Sequence, residues 1–147
     1  MRVMRLRYRV RYYEEDGGWL AEIPDVGGGG IMTQGDTGDE VRAMAVDAVT
    51  QVLLARIDAG QEPDPPTRGR LEPGWEWVYP ELRVETAMEI RQLRKRSGLT
   101  MQSAADKIGV ALGTYQKWED PERCNATLDT LERVARAFGR VAEVSFT

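Results

Sequence analysis

From Arg5 onward the chain alternates without a break. Arg5, Arg7, Arg9 and Arg11 take every second position, and Leu6, Tyr8, Val10 and Tyr12 fill the places between. A period of two is that of a β-strand with one wet and one apolar face, so a first strand is expected from about Val3 to Tyr13. The polar run Glu14 to Gly18 then reads as a turn, with glycines free to take positive φ. "WLAEI", from Trp19 to Ile23, predicts a second strand that stops at Pro24-Asp25. Four glycines, Gly27 to Gly30, form a loop, and Ile31 to Gln34 fit a short third strand.

The period changes after Thr37. Glu40 follows it at capping-box spacing. Val41, Met44, Ala45, Ala48, Val49, Val52 and Leu53 recur as the apolar face of one long helix that Gly60 ends. "QEPDPPTRGRLEPG", residues 61–74, holds four prolines and two glycines and reads as an irregular linker between domains. "WEWVY", residues 75–79, alternates again and fits a strand returning to the sheet.

Helical spacing then takes over. Thr86 is expected to cap a helix with Ala87, Ile90, Leu93 and Arg94 that ends at Ser97-Gly98. Thr100 caps a second with Ala104, Ala105 and Ile108 inward, broken by Gly109. Leu112 to Trp118 make a third. Thr127 caps a fourth with Leu128, Leu131, Val134, Ala135 and Phe138 inward, stopped by Gly139. "LRVE", beginning at Leu82, and "VAEVSF", residues 141–146, are read as short strands flanking these helices, able to pair within one chain or across a dimer. The expected fold class is α+β. A small β-β-β-α-β domain at 1–80 precedes a helical domain at 81–147.

Composition narrows the chemistry. The 147 residues contain no histidine and one cysteine, Cys124. His-based acid–base catalysis, common catalytic triads, His metal sites, an intrachain disulfide and a cysteine-rich zinc site are thereby excluded. No apolar run approaches the roughly 20 residues of a membrane span, so the expectation is a cytoplasmic chain without membrane contact. The net charge of −4 is uneven. Residues 1–80 carry nine Arg, no Lys and fourteen acids, whereas residues 81–147 carry eleven Lys or Arg and ten acids. Any nucleic-acid contact must therefore come from local placement of charge.

Two enzymatic readings fail on spacing. A phosphate-cradling loop needs Gly-Lys-Ser/Thr before a helix, and no lysine precedes Lys95. A two-metal nuclease needs converging carboxylates, but the wet face of the first strand offers arginines, and Asp16, Glu22, Asp25 and Asp36 read as turn and solubility residues. The chain is expected to be no enzyme and to need no cofactor or metal. The arginine row is most simply a solvated strand face. The alternatives are a protein contact, for which arginine is favoured, and DNA contact, which the acidic surroundings oppose.

"GLTMQSAADKIGVALGTYQKWE", residues 98–119, has the spacing of two helices packed at about a right angle across a glycine turn. The small pair Ala104-Ala105 permits close approach, and Val110 and Tyr115 fill the wedge. Ala111, Leu112, Gly113, Thr114, Gln116 and Lys117 are left outside, where a recognition helix meets base edges. Thr100 and Gln102 sit where phosphates are met. These residues, with "TLDTLERVARAFG" beyond them, resemble the Cro/repressor-type helix-turn-helix family over about Ala87 to Gly139. The resemblance implies operator-DNA binding as a homodimer or higher even oligomer, and an internal salt bridge between Arg94 and Glu119. Ala104 stands where that family usually has leucine, and Met101 where it often has a DNA-contacting glutamine. A helical interaction module without DNA binding is the plainer alternative.

The first half, "YRVRYYEEDGGWLAEIPDVGGGGIMTQGDTGDEVRAMAVDAV", resembles HicB-type antitoxin domains over about Tyr8 to Ala59, with "AEIPD" and "GDT" as its most specific points. That resemblance implies a reduced RNase-H-like unit that binds and neutralises a HicA-type ribonuclease toxin, in a chain that represses its own operon. Candidate toxin contacts are Arg5, Arg7, Arg9, Arg11, Trp19, Glu22 and Asp25. The rival reading is a stand-alone regulator whose first domain senses a ligand or dimerises.

Overall fold

The structure is a computed structural model that describes residues 5–146. Its chain separates into two compact units, the first ending at Leu82 and the second beginning at Arg83. In chain order the described elements are β1 (Tyr8–Glu15), β2 (Gly18–Ile23), β3 (Ile31–Gly35), α1 (Gly38–Asp58), β4 (Glu76–Val78), α2 (Leu82–Arg96), α3 (Met101–Ile108), α4 (Leu112–Glu119) and α5 (Leu128–Ala137). The class is α+β.

In the first unit the strands form one antiparallel sheet in the order β3-β2-β1-β4. β1 begins at Tyr8 and runs to Glu15, later at both ends than its alternation implies; Val3 and Met4 lie outside the described residues. Glu15 pairs with Gly18, so only Asp16 and Gly17 form the turn. Both have positive φ, 51° and 78°, as a type I′ hairpin requires. Tyr8, Val10, Ala21 and Ile23 point to one face and are fully buried with Val41, Ala45, Val49 and Leu53 of α1. Each valine, leucine or isoleucine among them contributes roughly 1.5–3 kcal/mol on removal from water.

The Thr37 hydroxyl caps α1 by accepting from the Glu40 N–H at 3.1 Å. Met44, expected on the inner face, is exposed, whereas Thr50 and Leu54 are buried. Buried residues four apart gain on the 3.6-residue turn, so the stripe winds around this 21-residue helix and leaves Met44 behind it. Gly35 lets β3 meet α1: a Cβ there would lie 2.7 Å from the Val41 backbone nitrogen.

Residues 61–74 have no regular structure, but they are not a spacer. The Tyr8 hydroxyl donates to the Asp64 carbonyl at 2.7 Å. The Thr67 N–H donates to the Arg7 carbonyl at 3.0 Å, and the Arg9 N–H donates to Thr67 Oγ1 at 3.1 Å. The Asp64 carboxylate is buried, accepts from the Gly27 N–H and faces Arg56 at 3.5 Å. The prolines lack N–H donors, so the segment packs while leaving fewer backbone groups to satisfy. β4 then pairs antiparallel with β1, and the Glu81 N–H donates to the buried Thr50 hydroxyl at 2.9 Å.

Two expected strands in the second unit are corrected. "LRVE" is the first turn of α2, and Thr86 lies inside that helix rather than capping it. The buried residues Val84, Ala87, Met88 and Ile90 keep helical spacing from the start, so the inward face begins two residues before Thr86. Residues 141–146 form no strand among the described residues. Their apolar side chains stand out of the unit, Val141 at 88% and Phe146 at 95% exposure. A strand needs a partner for its backbone groups, and the described chain supplies none.

Candidate nucleic-acid interface

α3 and α4 are built by local signals. The Thr100 hydroxyl accepts from the Ser103 N–H at 3.1 Å and starts α3. Gly109, at φ 86°, ends it in the left-handed conformation that glycine takes without a Cβ penalty. α4 follows two residues later. Ala111 at its N-cap has no side-chain acceptor, so no side chain there covers the first backbone N–H groups of α4.

The inner side of this pair is tightly filled. Ala104, Ala105 and Tyr115 are fully buried with Ile90, Trp118 and Val134, and Val110, Ile108, Met101, Leu131 and Phe138 pack around them. The Tyr115 and Trp118 rings meet edge to face with centroids 6.0 Å apart. Burial, and after it the Glu119 carboxylate, pushes the Tyr115 hydroxyl well above the usual phenol range. It remains neutral under physiological conditions.

Arg94 ties three segments together. Its Nε and Nη2 donate to the two Glu119 oxygens at 2.6 and 3.0 Å, and its Nη1 donates to the Leu99 carbonyl at 2.9 Å. The end of α2, the approach to α3 and the end of α4 are thereby held in register. The bond to Glu119 is the largest influence on Arg94 and keeps it firmly protonated. Two further arginines that sequence reasoning did not single out act similarly. Arg83 donates to the carbonyls of Pro121 and Glu122, both at 3.1 Å, and Arg133 donates to the Ile108 carbonyl at 3.2 Å. No motif marks them; both depend on where backbone carbonyls fall in the folded chain.

The outer side carries the candidate contacts. Ala111, Gly113, Thr114, Gln116 and Lys117 are exposed on and just before α4. Leu112 is half-buried, so only part of it is presented. Thr100 is exposed, but its hydroxyl is used by the cap and also bonds Ser103 Oγ at 2.9 Å. Gln102 is exposed and donates to Asp106 at 2.9 Å, one turn along α3. The acidic corner after α4 is partly neutralised inside itself: Asp120 pairs with Arg123 at 2.7 Å and accepts from the Glu122 N–H. Burial opposes ionisation of Asp120, but these bonds outweigh it and lower its pKa. Lys107 and Lys117 are exposed and form no ion pair among the described residues.

The candidate toxin contacts do not form one cluster. Arg9 pairs with Asp25 at 2.9 Å and Arg11 with Glu22 at 2.5 Å, on the sheet face away from α1. Trp19 lies on the opposite face, where it is in reach of Gly38 at the start of α1. The arginines also find partners that were not anticipated. Arg5 lies over Tyr79, Arg7 over Trp77, and Arg9 and Arg11 over Trp75, with ring centroids 4.0–5.2 Å from the guanidinium carbons. The signal was present in "WEWVY", whose alternation matches that of β1 once the two strands pair.

Among the described residues, no group of three or more His, Cys, Asp or Glu side chains is placed to hold a metal ion. No helix among them is long and apolar enough to cross a membrane. No curated protein matches the chain. Residues 90–144 match the helix-turn-helix family model, from the middle of α2 past the end of α5. The second unit is therefore a helix-turn-helix domain, the DNA-binding module of transcription regulators.

Proposed function

We propose that the chain is an autorepressing antitoxin. Its helix-turn-helix unit binds operator DNA, and its first unit, of reduced RNase-H-like type, holds a HicA-type ribonuclease. The DNA half of this reading rests on one observation. α4 presents Thr114, Gln116 and Lys117 to solvent, while Tyr115, Trp118 and Glu119 of the same helix are locked beneath it. In a major groove, Lys117 would donate to guanine and Gln116 would pair with adenine. The antitoxin half rests on the "AEIPD" and "GDT" sequence points of the first unit and its position ahead of a helix-turn-helix domain.

The same proposal makes the protein a cytoplasmic, non-enzymatic homodimer or higher even oligomer, since such domains read paired half-sites. The test is co-expression with the product of a neighbouring reading frame that encodes a small basic protein with a catalytic histidine, followed by size-exclusion chromatography. Co-elution with loss of ribonuclease activity supports the antitoxin. Operator binding without any such partner would leave a stand-alone regulator.

A further inference from the structure

The sheet face opposite α1 carries a ladder. Arginines at alternate positions before and along β1, Arg5, Arg7, Arg9 and Arg11, stack over Trp75, Trp77 and Tyr79 on and beside β4, and this face is formed wholly within the first unit. Arg9 and Arg11 are balanced by Asp25 and Glu22. Arg7 has no carboxylate partner among the described residues. Beside the ladder opens a cleft of about 650 Å³, lined in part by Arg9, Asp25, Arg68, Arg70, Glu72 and Trp75. Two of the carboxylates near it are already committed, Asp25 to Arg9 and Thr67, and Asp64 to Arg56 and the Gly27 N–H. Arg68 and Arg70 are exposed and form no ion pair among the described residues, with Glu72 the remaining acid in the cleft. In a net acidic unit, Arg7 on this face and Arg68 and Arg70 in the cleft are thus cations with no carboxylate partner among the described residues.

We propose that this ladder and cleft form a binding site for single-stranded nucleic acid, separate from the duplex-binding surface of the helix-turn-helix. Three features favour this ligand over an acidic polypeptide. Arg9 and Arg11, two residues apart on β1, are spaced by about 6.8 Å, close to the phosphate repeat of an extended nucleotide chain. The groups between and beneath the charges are flat: indoles, a phenol and guanidinium planes, the surfaces on which unpaired bases stack. The cleft opens beside Arg9 and Trp75, and Arg68 and Arg70 add two further cations to its lining. A cationic groove lined with stacking groups binds unpaired strands with little sequence preference. The site stands independently of the antitoxin reading, because it rests on the ladder and the cleft alone.

The test uses the full chain carrying Lys117→Ala, so that the recognition helix contributes little. Fluorescence anisotropy is recorded with a labelled single-stranded RNA of about twelve nucleotides, within the usual site size of such grooves. Polyglutamate and a duplex of unrelated sequence serve as competitors. The expected result is RNA binding that neither competitor displaces efficiently. Arg68→Ala/Arg70→Ala, which alters only exposed side chains that form no ion pair among the described residues, should weaken binding several-fold. It should also reduce the salt slope by about 1.4, since each phosphate contact with a single strand contributes roughly 0.7. Arg7→Ala should weaken binding further, with unchanged circular dichroism. Absence of RNA binding at low salt, or binding unaffected by the Arg68/Arg70 and Arg7 changes, would overturn the site. Equal displacement by polyglutamate would overturn it too, by showing only a general anion surface.

Discussion

Arg94 and Glu119 form a two-bonded ion pair, with the carboxylate side chain 2% and the guanidinium 12% exposed. Removing one partner leaves the other buried and uncompensated, which typically costs about 3–5 kcal/mol. Glu119→Ala should therefore lower the thermal midpoint of the second unit sharply and weaken DNA binding indirectly. Replacing both residues together, as Arg94→Met/Glu119→Leu, should recover much of the stability. Melting curves for the single and double variants check this; equal losses in both would show that the pair is not the source.

Lys117 and Arg7 distinguish the two cationic surfaces for duplex DNA. Lys117→Ala should cost roughly 1–3 kcal/mol of operator binding and relax selectivity at one base position. Arg7→Ala should change duplex binding little. A mobility-shift assay at two salt concentrations separates these outcomes, since loss of a phosphate contact lowers affinity for every sequence and flattens the salt dependence. The reverse pattern would move duplex recognition to the sheet.

Much of this arrangement is legible in the sequence, and the misses have physical causes. The hairpin, the Thr37, Thr100 and Thr127 caps and the Gly109 turn are local, each set by a few adjacent side chains and their hydrogen bonds. Ala104, Ala105 and Tyr115 were placed by helical spacing alone. The tryptophan partners of the arginine row were not, because β1 and β4 lie more than sixty residues apart and only their pairing brings Arg7 to Trp77. The segment at 61–74 looked like a spacer because prolines and glycines report a lack of regular structure, not a lack of contacts. "VAEVSF" shows the complementary point: alternation reports a willingness to be a strand, and within one chain the described residues supply no partner.

Tyr8 and Asp64 test whether residues 61–74 belong to the first unit. Tyr8→Phe removes the hydrogen bond to the Asp64 carbonyl while keeping the ring, and should cost about 1 kcal/mol. It should also speed tryptic cleavage after Arg68 and Arg70. Cleavage as fast in the parent chain as in the variant would mean that the segment does not stay docked.

Acid should loosen the first unit through Asp25 and Glu76. Burial raises the Asp25 pKa, but bonds from Thr67 and Arg9 outweigh it and the net shift is downward. The bond from Arg42 is the main influence on Glu76, whose pKa is also lowered. A carboxylate depressed in the folded state binds fewer protons there than in the unfolded state. Its stabilisation is present above the ordinary carboxylate range and is lost as pH falls through the folded pKa. Stability from denaturant titrations should thus decline from about pH 5 downward. Asp25→Asn and Glu76→Gln should each flatten that decline. An unchanged pH slope in both variants would exclude these carboxylates as its origin.

The exposed segment at 141–146 gives the sharpest test of the proposed dimer. In an antiparallel pairing of two copies centred on Val144, Val144 faces its own copy, Ala142 faces Phe146, and Glu143 faces Ser145. No like charges then stand opposite one another, and Ala142, Val144 and Phe146 of both copies share one apolar face. Val144 and Phe146 are 62% and 95% exposed in the single chain, so their burial would be gained only on association. Val144→Asp would set two carboxylates against each other at the centre of the pairing, yet disturb nothing buried within one copy. Light scattering coupled to size exclusion should show the parent chain as an even oligomer and Val144→Asp at lower mass, with circular dichroism unchanged. Operator affinity should fall with the mass, because two half-sites would no longer be held by one linked pair of recognition helices. A variant that keeps both the parent mass and the parent affinity would place the dimer contact elsewhere.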